Sequence, residues 1–203
     1  MTQSAPTPAA TSLIYRPASW IERLSLPEMF ARMQSLEVEL GSGDGSFLAQ
    51  WAAACPERNF LGVERLLGRL RKLDRKAQRA GLANMRLMRI EAAYFLEFLL
   101  PPRSVSALHV YFPDPWPKRK HRRHRLVNER FPELASRALS SQGVVCLRTD
   151  DADYFAQMQE VFGADKRFRF EETPDTLALV TTDFERDFQA RGIATLRAAW
   201  RLS

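Results

Sequence analysis

Short hydrophobic runs alternate with amphipathic segments from about residue 36 to residue 162. The runs predict strands, because a parallel strand buried on both faces is short and almost wholly apolar. These strands are predicted at residues 36–40, 60–63, 85–90, 105–112 and 144–147. Helices are predicted at residues 46–54, 65–80, 92–100, 126–139 and 151–162. This alternation is typical of an α/β protein with a doubly wound, mostly parallel sheet.

The pattern changes after residue 162. Residues 168–170 predict a short strand, and apolar residues at every second position of 196–202 predict an antiparallel C-terminal strand. Residues 15–33 predict irregular or short helical structure. No repeat or linker interrupts the chain, so we expect a single domain at residues 13–203. Residues 1–12 consist mainly of Ala, Pro, Thr and Ser and predict a disordered tail.

The charge, the N-terminal sequence and the cysteines indicate the kind of partner and the cellular compartment. The chain has 203 residues with 30 Lys and Arg against 24 Asp and Glu, and a basic excess favours a polyanionic partner. The N-terminus lacks the pattern of a signal peptide, and no apolar stretch reaches the ~20 residues of a membrane span. We therefore expect a cytoplasmic protein without membrane contact. Cys55 and Cys146 lie apart in apolar surroundings, so we interpret them as core residues and expect no metal site.

The first candidate site is the segment from Glu39 to Gly45, at the end of the first predicted strand. Gly41, Gly43 and Gly45 alternate with other residues, which allows a sharp turn and close approach of a ligand. The dinucleotide pattern GxGxxG places its third glycine one residue later. The spacing GxGxG after an acid therefore favours S-adenosylmethionine over a nicotinamide cofactor.

Two further acids follow the next two strands. Glu64 ends the second strand, where a carboxylate can accept both hydroxyls of a ribose. Glu91 follows the third strand, at the matching position for the adenine edge. Glu91 is equally compatible with a first-turn acid that faces a helix dipole. We interpret both residues as candidates for the cofactor pocket.

The most specific motif follows the fourth strand, at residues 111–118. Three prolines in five residues hold Asp114 rigidly at the ligand edge of the sheet. A dense basic run comes next, and such a run is costly unless anions neutralise it, so we interpret it as a nucleic-acid backbone site. Its cationic residues are Lys118, Arg119, Lys120, Arg122, Arg123 and Arg125. A second basic set shares one face of the helix predicted at residues 65–80, where a solvated face is the simpler interpretation.

Two segments near the C-terminus carry little information alone. Asp150 follows the fifth strand, and the segment Thr182, Asp183, Phe184, Glu185 has the spacing of a capping box.

Taken together, these motifs resemble the bacterial tRNA (guanine-N7-)-methyltransferases from about residue 36 to residue 200. The resemblance implies a class I, Rossmann-like fold, S-adenosylmethionine as cofactor, and guanosine 46 of the tRNA variable loop as target. It further implies a cofactor pocket of Glu39, Glu64, Glu91 and Asp114, with Asp114 also catalytic. The tRNA-contacting set that it implies is Lys118, Asp150 and the segment Thr182, Asp183, Phe184 and Glu185.

Some positions depart from the family pattern. Glu91 stands where Asp is more usual, and Lys120 and His124 stand where Arg is more usual. Lysine and histidine lack the bidentate geometry of Arg, which weakens phosphate contacts. The N-terminal segment is short and not basic.

Two alternative functions remain open at this point. One is an amino-group methyltransferase on another nucleic acid or protein, because the proline-rich turn around Asp114 partly resembles the turn of those enzymes. The other is a non-catalytic RNA-binding relative, against which the glycine loop and Glu64 argue. We expect a monomer or a homodimer.

Overall fold

The computed structural model describes residues 12–203. The predicted tail therefore lies outside the described residues, except for Ser12, whose hydroxyl donates to Asp74. Seven strands form one sheet: β1 Ser35–Leu40, β2 Arg58–Val63, β3 Met85–Met88, β4 Val105–Tyr111, β5 Leu139–Thr149, β6 Phe168–Glu171 and β7 Leu196–Leu202. The α-helices are α1 Leu26–Met29, α2 Leu48–Ala54, α3 Leu67–Arg79, α4 Ala92–Tyr94, α5 Phe131–Ala138, α6 Ala152–Gly163, α7 Asp175–Ala178 and α8 Asp183–Ala190.

The strand order is β3-β2-β1-β4-β5-β7-β6. The first five strands in sequence are parallel to one another, and β7 lies antiparallel between β5 and β6. This confirms the predicted doubly wound sheet and its antiparallel C-terminal strand. The chain winds in opposite directions from β1 and β4, so a crevice opens at the carboxyl ends of these two strands, where such folds bind ligands.

Helices cover both faces of the sheet. One face packs against α1, α5, α6 and the π-helical turn Phe95–Leu99 that continues α4, and the other packs against α2, α3 and α7. Strand β1 is buried on both faces except at its first residue. Its apolar residues point to the first layer, while Glu37 and Glu39 point to the second. Cys55 and Cys146 are both buried, as predicted.

Several predicted boundaries were wrong. The helix predicted at residues 126–139 begins only at Phe131, with Pro132 in its first turn, where its missing N–H costs nothing. The strand predicted at 144–147 extends back to Leu139, and Gln142 has a φ of 62° where the strand bends. The strand predicted at 85–90 ends at Met88. Among the described helices, none has the length and apolar character needed to cross a membrane.

Candidate active site

The glycine-rich loop joins β1 to α2 at the carboxyl edge of the sheet. Gly41, Gly43 and Gly45 have φ values of 83°, 55° and 75°, a region in which side chains cause strain. A Cβ on Gly45 would also lie 2.0 Å from Cδ1 of Leu73, so glycine is required for the loop to pack against α3. The N–H of Gly41 donates to the last carbonyl of β2, which fixes the loop to the neighbouring strand.

Glu39 lies in β1 directly before the end of the strand. Its side chain is buried, and within residues 12–203 its Oε2 atom has no hydrogen-bond partner. Burial raises the pKa of Glu39 to about 8, and the nearby Arg148 guanidinium offsets only part of this rise. The hydroxyl of Ser42 is a second buried polar group without a partner in the same part of the chain. An unpaired buried polar group is costly. Six other buried polar atoms of the described chain also lack a partner, but these two lie at the glycine loop, so we interpret them as part of a ligand site.

Glu37 lies two residues earlier on the same strand face, but both of its carboxylate oxygens have hydrogen-bond partners. Its Oε1 accepts a hydrogen bond from Arg58 at 2.7 Å, and its Oε2 accepts one from Trp51 at 2.8 Å. Oε2 also lies 2.9 Å from Nε2 of His109. Burial raises the pKa of Glu37, but these partners outweigh burial and lower it to about 2. Glu37 is thus satisfied within the fold, whereas Glu39 is not.

Glu64 follows β2 and links two backbone segments. Its Oε2 accepts a hydrogen bond from the N–H of Gly43 at 3.0 Å, and its Oε1 accepts one from the N–H of Leu66 at 2.7 Å. Each carboxylate oxygen has further lone pairs. The carboxylate is therefore fixed in orientation and can still accept two hydroxyl groups of a ligand.

Glu91 is the N-cap of α4. Its carboxylate accepts hydrogen bonds from the N–H groups of Ala93 and Tyr94 at 2.9 Å and 2.8 Å. The structure thus shows the local capping role that the sequence left open beside the adenine contact. Glu91 also lines the same cavity as Glu64, so capping holds its side chain at the cavity wall.

Asp114 lies in the loop after β4 and is exposed. The loop bends sharply on both sides of it, because Phe112 and Trp116 have φ values of 49° and 44°. Non-glycine residues in this left-handed region are strained, and such strain clusters at functional sites. The loop therefore directs Asp114 to the crevice at the edge of the sheet.

A cavity of about 260 Å³ lies at this crevice. It brings together four of the predicted cofactor residues, Gly41, Glu64, Glu91 and Asp114. Glu39, Gly43 and Gly45 do not line the cavity, whereas Leu40 and Gly41 of the same strand and loop do. The cavity is also lined by basic and aromatic residues: Arg65, Arg69, Trp116 and His124.

Arg125 corrects one prediction. Its side chain is 1% exposed, so it cannot contact a phosphate backbone as predicted. Its guanidinium donates instead to the carbonyl of Pro115 at 2.6 Å, to Gln157 at 2.8 Å and to Asp153 at 2.7 Å. Arg125 thus holds the loop of Asp114 against α6.

The rest of the basic run forms a 3-10 helix at Arg119–His124. Arg122 forms an ion pair with Asp153 at 2.6 Å and is partly buried. The other four cationic residues are exposed and form no ion pair with any residue in the 12–203 range: Lys118, Arg119, Lys120 and Arg123. These four remain available to an anionic ligand.

The segment 182–185 opens α8 and forms the capping box that its spacing predicts, with hydrogen bonds in both directions between Thr182 and Glu185. The Glu185 carboxylate is fully buried and forms ion pairs with Arg148 and Arg197, each at 2.9 Å. Both of its oxygens are thus occupied, so direct contact of Glu185 with tRNA, which the resemblance implied, is not supported here.

Phe184 of this segment is exposed and Asp183 is partly exposed, as the predicted contact with tRNA requires. The Phe184 ring lies 6.2 Å from the Phe112 ring, between centroids, so the segment borders the loop of Asp114. Asp183 forms an ion pair with Arg186 on the surface. Asp150 is half-buried directly after β5. The contact of these residues with tRNA stays a prediction.

Sequence reasoning missed Arg148. This residue lies in β5, is 1% exposed, and its guanidinium lies 4.2 Å from the Tyr111 ring centroid. It donates to the carbonyls of Val180 and Leu177 as well as to Glu185. Arg148 therefore anchors the segment before α8 to the sheet. A charged residue at the end of an apolar strand was the available signal.

Comparisons with known proteins agree with this geometry. Residues 33–198 match a family model described as "Putative methyltransferase". The chain is 39% identical to a tRNA (guanine-N(7)-)-methyltransferase of Rubrobacter xylanophilus, over 77% of this chain and 70% of that protein. It is 35% identical to the protein of the same name from Chromohalobacter salexigens, over 89% of this chain and 74% of that one. A similar solved structure is that of the 16S rRNA methyltransferase KamB, with a TM-score of 0.61, 17% identity, and 88% and 92% coverage.

Proposed function

Because this chain belongs to the tRNA (guanine-N7-)-methyltransferase family, we propose that it transfers a methyl group from S-adenosylmethionine to N7 of guanosine 46 in tRNA. The observation that carries the proposal is the cavity at the switch point of the sheet. Gly41, Glu64, Glu91 and Asp114 meet there, and exposed cationic residues of the 3-10 helix follow in the chain. Carboxylates in the cavity and a basic surface beside it suit a cationic cofactor and a polyanionic substrate.

The described residues fit the chemistry of this cofactor. S-adenosylmethionine supplies an electrophilic methyl group on a sulfonium and carries an ammonium group and a ribose. The unpaired, buried Oε2 atom of Glu39 is an acceptor for an ammonium donor. The fixed carboxylate of Glu64 is an acceptor for the ribose hydroxyls, and Glu91 at the cavity wall is an acceptor for the adenine amino group.

The reaction requires little proton chemistry from the protein. N7 of guanine carries a lone pair and no proton, so no general base is needed. The task of the protein is to align the two reactants, which can lower the barrier by roughly 7–11 kcal/mol. Attack places positive charge on the purine. We assign to Asp114 the stabilisation of this charge or the orientation of the base, since it is the exposed carboxylate that lines the cavity from the loop leading into the basic 3-10 helix.

Lys118, Arg119, Lys120 and Arg123 are assigned to the tRNA backbone, as exposed cations without ion pairs in the described part of the chain. Asp150, Asp183 and Phe184 are assigned to the substrate side. Phe184 borders Phe112 and so lies beside the loop of Asp114. A polyanion held by cationic side chains releases counterions, so activity is expected to fall steeply with salt.

The test is to incubate the protein with radiolabelled S-adenosylmethionine and unmodified bulk tRNA, and then to identify the labelled nucleoside. Label in 7-methylguanosine supports the proposal if a single synthesised tRNA is also labelled and the same tRNA with guanosine 46 replaced is not. Label in another nucleoside would favour the amino-group methyltransferase. No label, with no rise in melting temperature on adding cofactor, would favour a non-catalytic RNA-binding protein.

The role of Asp114 needs a separate measurement. Asp114→Asn retains the size of the side chain and removes its charge. We expect a loss of kcat of at least about tenfold with little change in cofactor affinity. An Asp114→Asn enzyme with full turnover would refute the electrostatic role and leave only that of positioning.

A further inference from the structure

Helix α3 and the two residues before it concentrate positive charge to which the proposed methyl transfer assigns no role. Residues 65–79 contain seven Arg or Lys residues and one Asp, a net charge of +6, which equals the net charge of the whole chain. The single acid, Asp74, is buried and accepts hydrogen bonds from Ser12 and Leu13. The basic residues are all exposed: Arg65, Arg69, Arg71, Lys72, Arg75, Lys76 and Arg79.

These seven side chains form no ion pair with any residue of the described chain. Elsewhere, basic residues on the surface are often paired, as Arg130 is with Glu97 and Arg167 with Asp165. Like charges three and four residues apart destabilise a helix. No ion pair relieves the repulsion on α3 within the described structure, although Asp44 lies beside the helix. Cationic side chains without ion pairs are the expected state of a surface that binds an anion.

The basic face of α3 is continuous with the proposed active site. Arg65 and Arg69, at its beginning, line the cavity that also contains Asp114. Further along, Lys72, Arg75, Lys76 and Arg79 line a shallow groove of about 440 Å³. A helix of this length spans ~20 Å, so the charged track leads from the active site down one side of the protein.

We propose that α3 is a second tRNA-binding surface, which receives the RNA backbone beside the cavity in addition to the 3-10 helix of the basic loop. The proposal rests on the proposed function, because tRNA is the polyanion that the active site would present to α3. Both basic surfaces reach the cavity, because Arg65 and Arg69 line it together with His124 of the 3-10 helix. RNA held by both surfaces would keep the target base at the cavity.

The test compares two triple variants that remove the same charge. The α3 variant carries Lys72→Gln, Lys76→Gln and Arg79→Gln, all outside the lining of the active-site cavity. The control carries Arg32→Gln, Arg103→Gln and Lys166→Gln, which are exposed and precede β1, β4 and β6 at the opposite edge of the sheet. The dissociation constant for unmodified tRNA is measured from low to moderate salt, together with steady-state kinetics of 7-methylguanosine formation. The melting temperature of each variant checks folding.

We expect the α3 variant to reduce the slope of log K against log salt by about 2–3, because each lost phosphate contact contributes about 0.7–0.9. KM for tRNA should rise at least about tenfold at low salt while kcat stays within about twofold, and the control should change neither quantity appreciably. Equal slopes for the α3 variant, the control and the wild type would make α3 a solvated face and overturn the inference.

The two proposals fail in different ways. If the wild type transfers no methyl group but binds tRNA with a salt slope that the α3 variant reduces and the control does not, the proposed reaction fails and the α3 surface stands. If the wild type forms 7-methylguanosine and the α3 variant retains its KM and salt slope, the inference about α3 fails and the proposed reaction stands.

Discussion

Replacing Glu39 with Gln should make the protein relatively more stable as the pH rises. Burial raises the pKa of Glu39 from the ordinary value of 4.5 to about 8. Between these values the unfolded chain loses the proton while the folded protein keeps it. Stability therefore falls as the pH rises through this window and levels off above it. Gln carries no charge at any pH, so the variant escapes this loss.

The magnitude follows from the two pKa values. One pKa unit corresponds to about 1.4 kcal/mol. From pH 5 to pH 9, the free energy of unfolding of Glu39→Gln, relative to the wild type, should increase by about 4 kcal/mol. Other titrating groups contribute to both proteins and cancel in the difference. Urea denaturation at several pH values, without cofactor, measures this quantity.

Glu37→Gln is the matched control, because Glu37 is buried on the same face of the same strand. Its partners lower its pKa to about 2, so both folded and unfolded carboxylates are ionised above pH 5. Glu37→Gln should lower the free energy of unfolding, and the carboxyl group of Glu37 itself should add no rise from pH 5 to pH 9 of the kind expected for Glu39→Gln. A change in the control over this range reports the His109 that Glu37 contacts. A difference between wild type and Glu39→Gln that stays constant within about 1 kcal/mol over this range would refute the reasoning.

The same substitution separates stability from function. If Glu39 accepts the ammonium group of the cofactor, Glu39→Gln should weaken cofactor binding at least about tenfold while it stabilises the free protein. Titration calorimetry at pH 8 measures the affinity. Unchanged affinity would remove Glu39 from the cofactor site and leave its lack of a partner unexplained.

Substitutions at Arg125, Gly45 and Arg148 test the contacts that hold the loops and segments around the site. Arg125→Met removes the contact with the Pro115 carbonyl. The value of kcat for tRNA methylation should therefore fall at least about tenfold, with cofactor affinity nearly unchanged. Steady-state kinetics equal to those of the wild type would contradict this prediction. Gly45→Ala should lower the free energy of unfolding by about 1–3 kcal/mol. Gly68→Ala, whose added Cβ meets no neighbouring atom within 4 Å, should raise the free energy of unfolding by about 0.4–1 kcal/mol. Equal urea midpoints for the two variants would contradict both predictions. Arg148→Met should lower the free energy of unfolding by about 3–5 kcal/mol, because the substitution breaks a buried ion pair. Arg148→Lys should recover only part of this loss in the same urea assay.

Much of the fold was predictable, because its signals are local. The apolar runs identified the sheet strands, and the alternation in residues 196–202 identified β7. Boundaries failed where the local signal was weak. The segment before α5 is apolar enough for a helix, but Pro132 restricts the helix to starting near that residue.

The candidate site was predictable to a similar extent. In a parallel sheet the residues after successive strands meet at one edge. Glu64, Glu91 and Asp114 could therefore be assigned to one cavity from their positions alone. The environment of each side chain was not predictable, because it depends on partners from distant segments. Arg125 shows this, since its partners Asp153 and Gln157 lie in α6, about 30 residues later.

The sequence by itself determined the parallel sheet, the glycine loop and the order in which acidic residues follow the strands, because these depend on periodicity and on backbone sterics. Only the tertiary structure decided which charged groups have hydrogen-bond or ion-pair partners within the described residues. Glu37 and Glu39 share one strand face and one residue type, yet the first is satisfied by Arg58 and Trp51 and the second has an oxygen without a partner in the described structure. The charge that a buried group retains depends on the neighbours that the fold brings to it, and those neighbours are remote in sequence.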